Sequence, residues 1–121
     1  GEPTKELLDT YKTHRDIYRA TIDMCRPGAR ASNIYHFSNN AFNDAGFKGK
    51  VNIAGHGVGA WWHQQEPYMV PSGKHILEKG MVVALEPHIG HWHLQDMVLV
   101  TDAAPLLLSP LINTDEMMVA G

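Results

Sequence analysis

The segment AGHGVGAWWHQQEP, residues 54–67, places His56 and His63 seven positions apart, with Gly55, Gly57 and Gly59 around the first and Trp61 and Trp62 before the second. A neutral imidazole is a common metal ligand and a usable general acid or base. Glycine permits positive φ and close backbone approach. Three glycines in five residues therefore predict a tightly bent strand that turns His56 toward a cavity; a structural or solvated ring is the plainer alternative. Trp61 and Trp62 suit either a pocket wall or core filling. Further on, LEKGMVVALEP reads as a turn at Lys79-Gly80 and a strand from Met81 to Glu86 stopped by Pro87, and LQDMVLVT reads as a second strand. In an antiparallel hairpin Glu86 would stand opposite Gln95, with Cβ atoms about 4.5–5.5 Å apart. An enclosed carboxylate needs a metal ion, an arginine or a cluster of donors beside it; at a solvated strand end it needs none.

The elements that must position these residues are legible from periodicity. Thr4 reads as an N-cap after Pro3, and Leu7, Tyr11, Tyr18, Ile22 and Cys25 follow at helical spacing, widened by Leu8 and Ile17, until Arg26-Pro27-Gly28 stops the helix. Ser32 is a second candidate cap, opening a helix with Ile34, Phe37, Ala41, Phe42 and Ala45 on one face and Gly46 at its end. Val51 to Ala54 is a short apolar run into the glycine segment, and Pro67 to Gly73 has loop composition. In the last strand Leu94, Asp96, Val98 and Val100 share one face, with Gln95, Met97, Leu99 and Thr101 on the other. The seven residues from Pro87 to His93 favour a hairpin, with His88, His91 and His93 as solvated loop imidazoles or an accidental metal cluster with His56. Leu106 to Leu108 could add a short strand. Two helices followed by strands predict an α+β layout, helices on one face of an antiparallel sheet.

Bulk properties narrow the function classes. The 121 residues suit one small domain or part of a larger one, and 44% apolar residues allow a core. A net charge of -3 without a Lys/Arg cluster argues against a nucleic-acid surface. No apolar run approaches the ~20 residues of a membrane span. The single Cys25 excludes an internal disulfide and suits a reducing, cytoplasmic setting. Gly1 in place of an initiator Met suggests a processed, cut or tagged chain. H-E-x-x-H, C-x-x-C, G-x-S-x-G and phosphate-loop motifs are absent.

Taken in order, these segments resemble the C-terminal half of the pita-bread hydrolases, the peptidase M24-like family of methionine aminopeptidase, Xaa-Pro aminopeptidase, prolidase and creatinase. GHGVG is similar to the family's G-H-G-x-G, LEKGMVVALEP to its L-x-x-G-M-x-x-x-x-E-P, and LQDMVLVT to its terminal strand; the helix ending RPGA resembles the one before the family's Pro-Gly turn. The resemblance implies one partial catalytic segment over residues 1–121, a curved antiparallel sheet covered by helices, and amide hydrolysis in small peptide-like substrates. It places His56 and Glu86 among the metal ligands and His56 and His63 among the catalytic residues. Trp61, Trp62 and Glu66 become candidate substrate contacts. The cofactor it implies in the complete protein is a divalent metal, Mn, Co or Zn.

The departures bear on activity. Gln95 stands where the resemblance expects a bridging glutamate, and a neutral amide bridges two cations poorly. Gln64 and Gln65 intervene between His63 and Glu66, where an acidic residue is expected at once. The family's two aspartate ligands precede the long helix, ahead of this sequence. The chain alone is therefore expected not to be a competent two-metal peptidase. Alternatives are a metal-free, creatinase-like hydrolase and a non-catalytic binding module. A lone half would expose a sheet edge and an inner face, which predicts a homodimer or pairing with the missing N-terminal half.

Overall fold

The computed structural model describes residues 1–60, 64–109 and 114–118. Helix α1 spans Lys5–Asp23, and Thr4 caps it as its sequence predicts, its hydroxyl accepting the Leu7 N–H at 3.2 Å. Its buried face is His14, Tyr18, Thr21 and Ile22, and Cys25 lies buried just beyond the helix end. Burial pushes the Cys25 thiol up to about 12, in keeping with a core residue. Leu7, expected on the inner stripe, is exposed, while His14, absent from the apolar pattern, is fully enclosed.

Helix α2 spans Ala31–Asp44, and Ser32 is not its cap. Arg30 takes that position without a side-chain hydrogen bond. The chain near residues 73–77 supplies the acceptors instead: Ala31 N–H bonds His75 O at 2.9 Å and Ser32 N–H bonds Gly73 O at 3.2 Å. Free N–H groups at a helix start donate to any well-placed carbonyl, so tertiary backbone pairing takes the place of the local cap. Ile34, Tyr35, Ser38 and Phe42 face inward, and Phe37 is 38% exposed.

The helices lie on one face of a five-stranded antiparallel sheet ordered β2-β1-β3-β6-β7, formed by β1 (Gly55–Val58), β2 (Gln65–Met69), β3 (Val82–Leu85), β6 (Asp96–Leu99) and β7 (Leu106–Leu107). Between β3 and β6, β4 (His88–Ile89) and β5 (Trp92–His93) make a separate two-residue hairpin turning at Gly90, whose φ is 61°. The predicted hairpin of β3 and β6 is present; its connection carries a short ladder of its own, and His88, His91 and His93 on it are exposed, as expected of solvated imidazoles. Strand β2 corrects the loop expected from Pro67 onward. It is an edge strand whose register to β1 shifts between His56 and Gly57, and edges and bulges are where proline is tolerated in a sheet. The Val51–Ala54 run precedes β1 rather than forming it.

Alternation divides the sheet into two faces. Met69, Val83, Leu85 and Val98 are buried and join Tyr18, Ile22, Ile34 and Phe42 in the core. The opposite face carries His56, Ala84 and Met97, aligned across β1, β3 and β6. The glycines explain how β1 fits between its neighbours. None of Gly55, Gly57 and Gly59 has positive φ, so none makes a left-handed turn; the strand is irregular at His56/Gly57, where its register shifts, and the close backbone approach expected of glycine is what these positions show. A Cβ at Gly55 would lie 2.5 Å from Ala84 O, and one at Gly57 would overlap the backbone carbonyl of Glu66. Gly57→Ala should thus lower unfolding free energy by about 1–3 kcal/mol, because backbone on the edge strand must shift; equilibrium denaturation checks it.

His14 stacks on Phe42 at 5.0 Å and lies 5.6 Å from Trp92 and 5.9 Å from Phe47. Neither ring nitrogen meets a hydrogen-bond partner among the described residues. Burial, and secondarily His93, lower its pKa from 6.5 to about 4. The unfolded chain therefore takes up this proton first as pH falls. Stability is full above about 6.5 and declines as pH falls toward 4. Denaturation midpoints at pH 7 and pH 5 should differ less in His14→Phe than in the unaltered chain, since the substitution removes the titrating group and keeps an aromatic ring in the slot.

Candidate active site

Register delivers the two principal side chains. His56 lies opposite Ala84, and Glu86 follows two residues later on the same face of β3. The imidazole Nε2 comes within 3.1 Å of Glu86 Oε1, and the two side chains are only 12% and 16% exposed. The other ring nitrogen, Nδ1, lies 2.9 Å from the carbonyl oxygen of Gly57. A carbonyl can only accept, so Nδ1 carries the proton. In the neutral ring Nε2 is then a lone pair facing a carboxylate oxygen. Two electron-rich atoms at that spacing require a proton or a cation between them. The pair can thus share one proton or serve as two donors to one cation.

The other carboxylate oxygen of Glu86, Oε2, is 3.7 Å from His93 Nε2. Gln95 stands opposite Glu86 by register, one step beyond the Leu85–Asp96 pair, and is exposed. The expected juxtaposition of Glu86 and Gln95 follows from that ladder. Glu66 does not join them: its carboxylate is 3.0 Å from His75 Nε2, and it borders a separate hollow of about 400 Å³ with Tyr68, Lys74 and His75. Trp61, Trp62 and His63 lie outside the described residues. Among the described residues no three His, Cys, Asp or Glu side chains converge on one metal position. The accidental cluster of His56 with His88, His91 and His93 is accordingly not formed; His88 and His93 stack on each other at 5.0 Å instead.

Pattern reading missed two supports. His93 is one. The other is Tyr18, whose hydroxyl donates to Asp96 Oδ2 at 2.6 Å and lies 3.5 Å from Leu85 O. One phenol from α1 therefore touches both strands next to Glu86 and Gln95. Burial, with the Asp96 bond second, holds the Tyr18 hydroxyl well above its ordinary pKa, so it remains a donor. Its helical position marked it as core; only the packing shows what the hydroxyl holds. Tyr18→Phe should cost about 1–3 kcal/mol, because it strands a partly enclosed carboxylate; thermal or chemical denaturation reads the loss.

The model of metallopeptidase family M24 matches residues 1–102. "Probable dipeptidase PepE" of Mycobacterium tuberculosis is 32% identical over 108 residues, 84% of this chain and 28% of that protein. The Xaa-Pro dipeptidase of Lactobacillus delbrueckii is 32% identical over 90 residues, 74% of this chain and 24% of its own length. The prolidase structure from Pyrococcus furiosus superposes with a TM-score of 0.80 at 22% identity, over 93% of this chain and 35% of that one. The chain thus spans about a quarter to a third of these relatives. No helix among the described residues is long and apolar enough to cross a membrane.

Proposed function

Because this chain belongs to metallopeptidase family M24 and folds as the α+β half of a pita-bread domain, we propose that it is the C-terminal part of a peptidase of the Xaa-Pro dipeptidase or aminopeptidase type. In the complete protein its substrate would be a small peptide cleaved at one amide bond. Residues 1–121 would form one segment of the catalytic domain. Its inner face would close against an N-terminal half or a second copy of the chain. The relatives support this reading by name, the dipeptidase of Mycobacterium tuberculosis and the Xaa-Pro dipeptidase of Lactobacillus delbrueckii among them.

The observation that carries the proposal is the His56–Glu86 pair. Two ligands of one cation, each about 2.0–2.2 Å from it, lie roughly 3–3.4 Å apart, and the measured 3.1 Å fits. The Nδ1–H bond to Gly57 O fixes the ring so that Nε2 faces the carboxylate, as an outer hydrogen bond commonly does for a ligating histidine. A bound divalent cation, Mn, Co or Zn, would polarise the substrate carbonyl and activate a water. His56 and Glu86 fit one such cation. Gln95 does not fit the bridging role, since its amide brings no charge between two cations. His63 would contact the substrate or steady charge during cleavage, with Trp61 and Trp62 shaping the pocket; Glu66, paired with His75 beside its own hollow, would reach the substrate only at the margin of that pocket. Gln95 is also what favours the second reading, a fold retained for binding with hydrolysis reduced or lost.

Calorimetric titration of the chain with Mn²⁺ and Zn²⁺ tests the site. Binding is expected, and it should fall at least about tenfold in His56→Ala and in Glu86→Gln. Equal binding by the unaltered chain and both variants would overturn the assignment. Incubated alone with Mn²⁺ and an Xaa-Pro dipeptide, the chain should show no hydrolysis above background; turnover lost in His56→Ala would mean that this segment is catalytically sufficient.

A further inference from the structure

His14 is fully enclosed with neither ring nitrogen partnered among the described residues, yet a neutral imidazole always carries one N–H. Three aromatic rings close it in: Phe42 from α2, Phe47 from the turn after α2, and Trp92 from β5. They are not held equally. Phe42 is fully buried within a helix of 14 residues, and the Phe47 N–H bonds Phe42 O at 3.0 Å. Trp92 is partly exposed and rides on a hairpin of two residue pairs that lies outside the five-stranded sheet. Buried Ile89 and a 3.3 Å bond from Asn52 N–H to His88 O dock that hairpin on the body of the fold. A hollow of about 460 Å³, lined by Thr10, Phe47, Ile89, His91 and Trp92, lies beyond the rings that cover His14. Of the three rings, Trp92 is therefore the one that can move.

The charged surroundings of the ring do not favour a proton on it. Burial opposes the charge first and His93 second, and no carboxylate is among the groups acting on it. Lys48 and His91 line the adjoining hollow, and His88 stacks on His93. Glu86 lies 3.7 Å from His93 and is engaged by His56. Arg15, next in α1, bonds Asp16 and the Asp115 carbonyl, and α2 turns the apolar Phe42 to the ring. A charged imidazole in this slot must reach water. We propose that the β4–β5 hairpin is an acid-released latch, held shut over the neutral His14 ring and undocked from α1 when that ring takes a proton. Undocking carries Trp92 toward the hollow and lets water reach the His14 nitrogens. It also slackens the segment joining Glu86 to Gln95, so the candidate site loosens with it. The latch is independent of the ligand that the His56–Glu86 pair takes. The closed ring takes its proton only near pH 4, against an ordinary 6.5, so opening is favoured about twentyfold more at pH 5 than at pH 7.

Hydrogen exchange of the whole chain at pH 7 and pH 5, with each rate corrected for the intrinsic pH dependence of exchange, tests the latch. The Asn52 amide reports undocking, because its acceptor, His88 O, sits on the hairpin. Its protection should lie below that of the β3–β6 ladder at both pH values, as a local opening requires. It should also fall about twentyfold from pH 7 to pH 5. In His14→Phe, which keeps a ring in the slot, that fall should largely disappear. Trp92→Leu thins the cover at a partly exposed position, so Asn52 should be less protected already at pH 7 and lose less on going to pH 5. Asn52 protection equal to that of β3–β6 at both pH values would mean that the chain opens only as a whole, and would overturn the latch. So would protection independent of pH in the unaltered chain, a fall that persists in His14→Phe, or a Trp92→Leu chain that behaves as the unaltered one.

Discussion

Glu86 is a carboxylate only 16% exposed, set at the end of a strand whose other face is packed under two helices. Such a group is costly to enclose without partners, and much of the surrounding structure can be read as meeting that need. His56 faces one oxygen and His93 the other. Gly57 does two things at once: its missing side chain lets β2 approach, and its carbonyl accepts the hydrogen bond of His56 Nδ1–H. Tyr18 bonds Asp96 and lies near Leu85 O, so the strands that carry Glu86 and Gln95 are tied to α1. The site is a consequence of register: a slip of one residue in β1 or β3 would turn His56 or Glu86 into the helix-facing core.

The two faces of the sheet have different physical tasks. The helix side is closed by Met69, Val83, Leu85 and Val98, a continuous apolar layer. The opposite side carries His56, Glu86 and Gln95 around a fully buried Ala84. The chain spans only about a quarter to a third of its relatives' length. His14 shows how closely the helix side is filled: a polar ring is held among three aromatic rings with neither nitrogen partnered among the described residues. The same aromatic cluster seats Trp92, one residue from His93, so core packing and site geometry meet in one short hairpin.

Gln95 distinguishes this chain from the pattern that its motifs otherwise follow. A glutamate there would add negative charge beside Glu86 and need a second cation to balance it. A glutamine brings neither the charge nor the need.

Much of this was determined by the sequence alone. The Thr4 cap, the two amphipathic helices, the antiparallel β3–β6 pair and the placement of Gln95 opposite Glu86 all follow from local signals: spacing, capping chemistry and alternation. The family likeness was legible for the same reason, because three motifs in order fix which residues end which strands. What only the tertiary structure decided was everything set by approach between distant segments. Backbone carbonyls at Gly73 and His75 replaced Ser32 as the start of α2. Which backbone atoms crowd Gly55 and Gly57 was set by the neighbouring strands, β2 forms despite Pro67 because it lies at an edge, and Glu66 pairs with His75. His93 and Tyr18 carried no periodic or motif signal for their roles. Their meaning lies in distances to Glu86 and Asp96 across the fold, and such distances are created by packing, not by neighbouring residues in the chain.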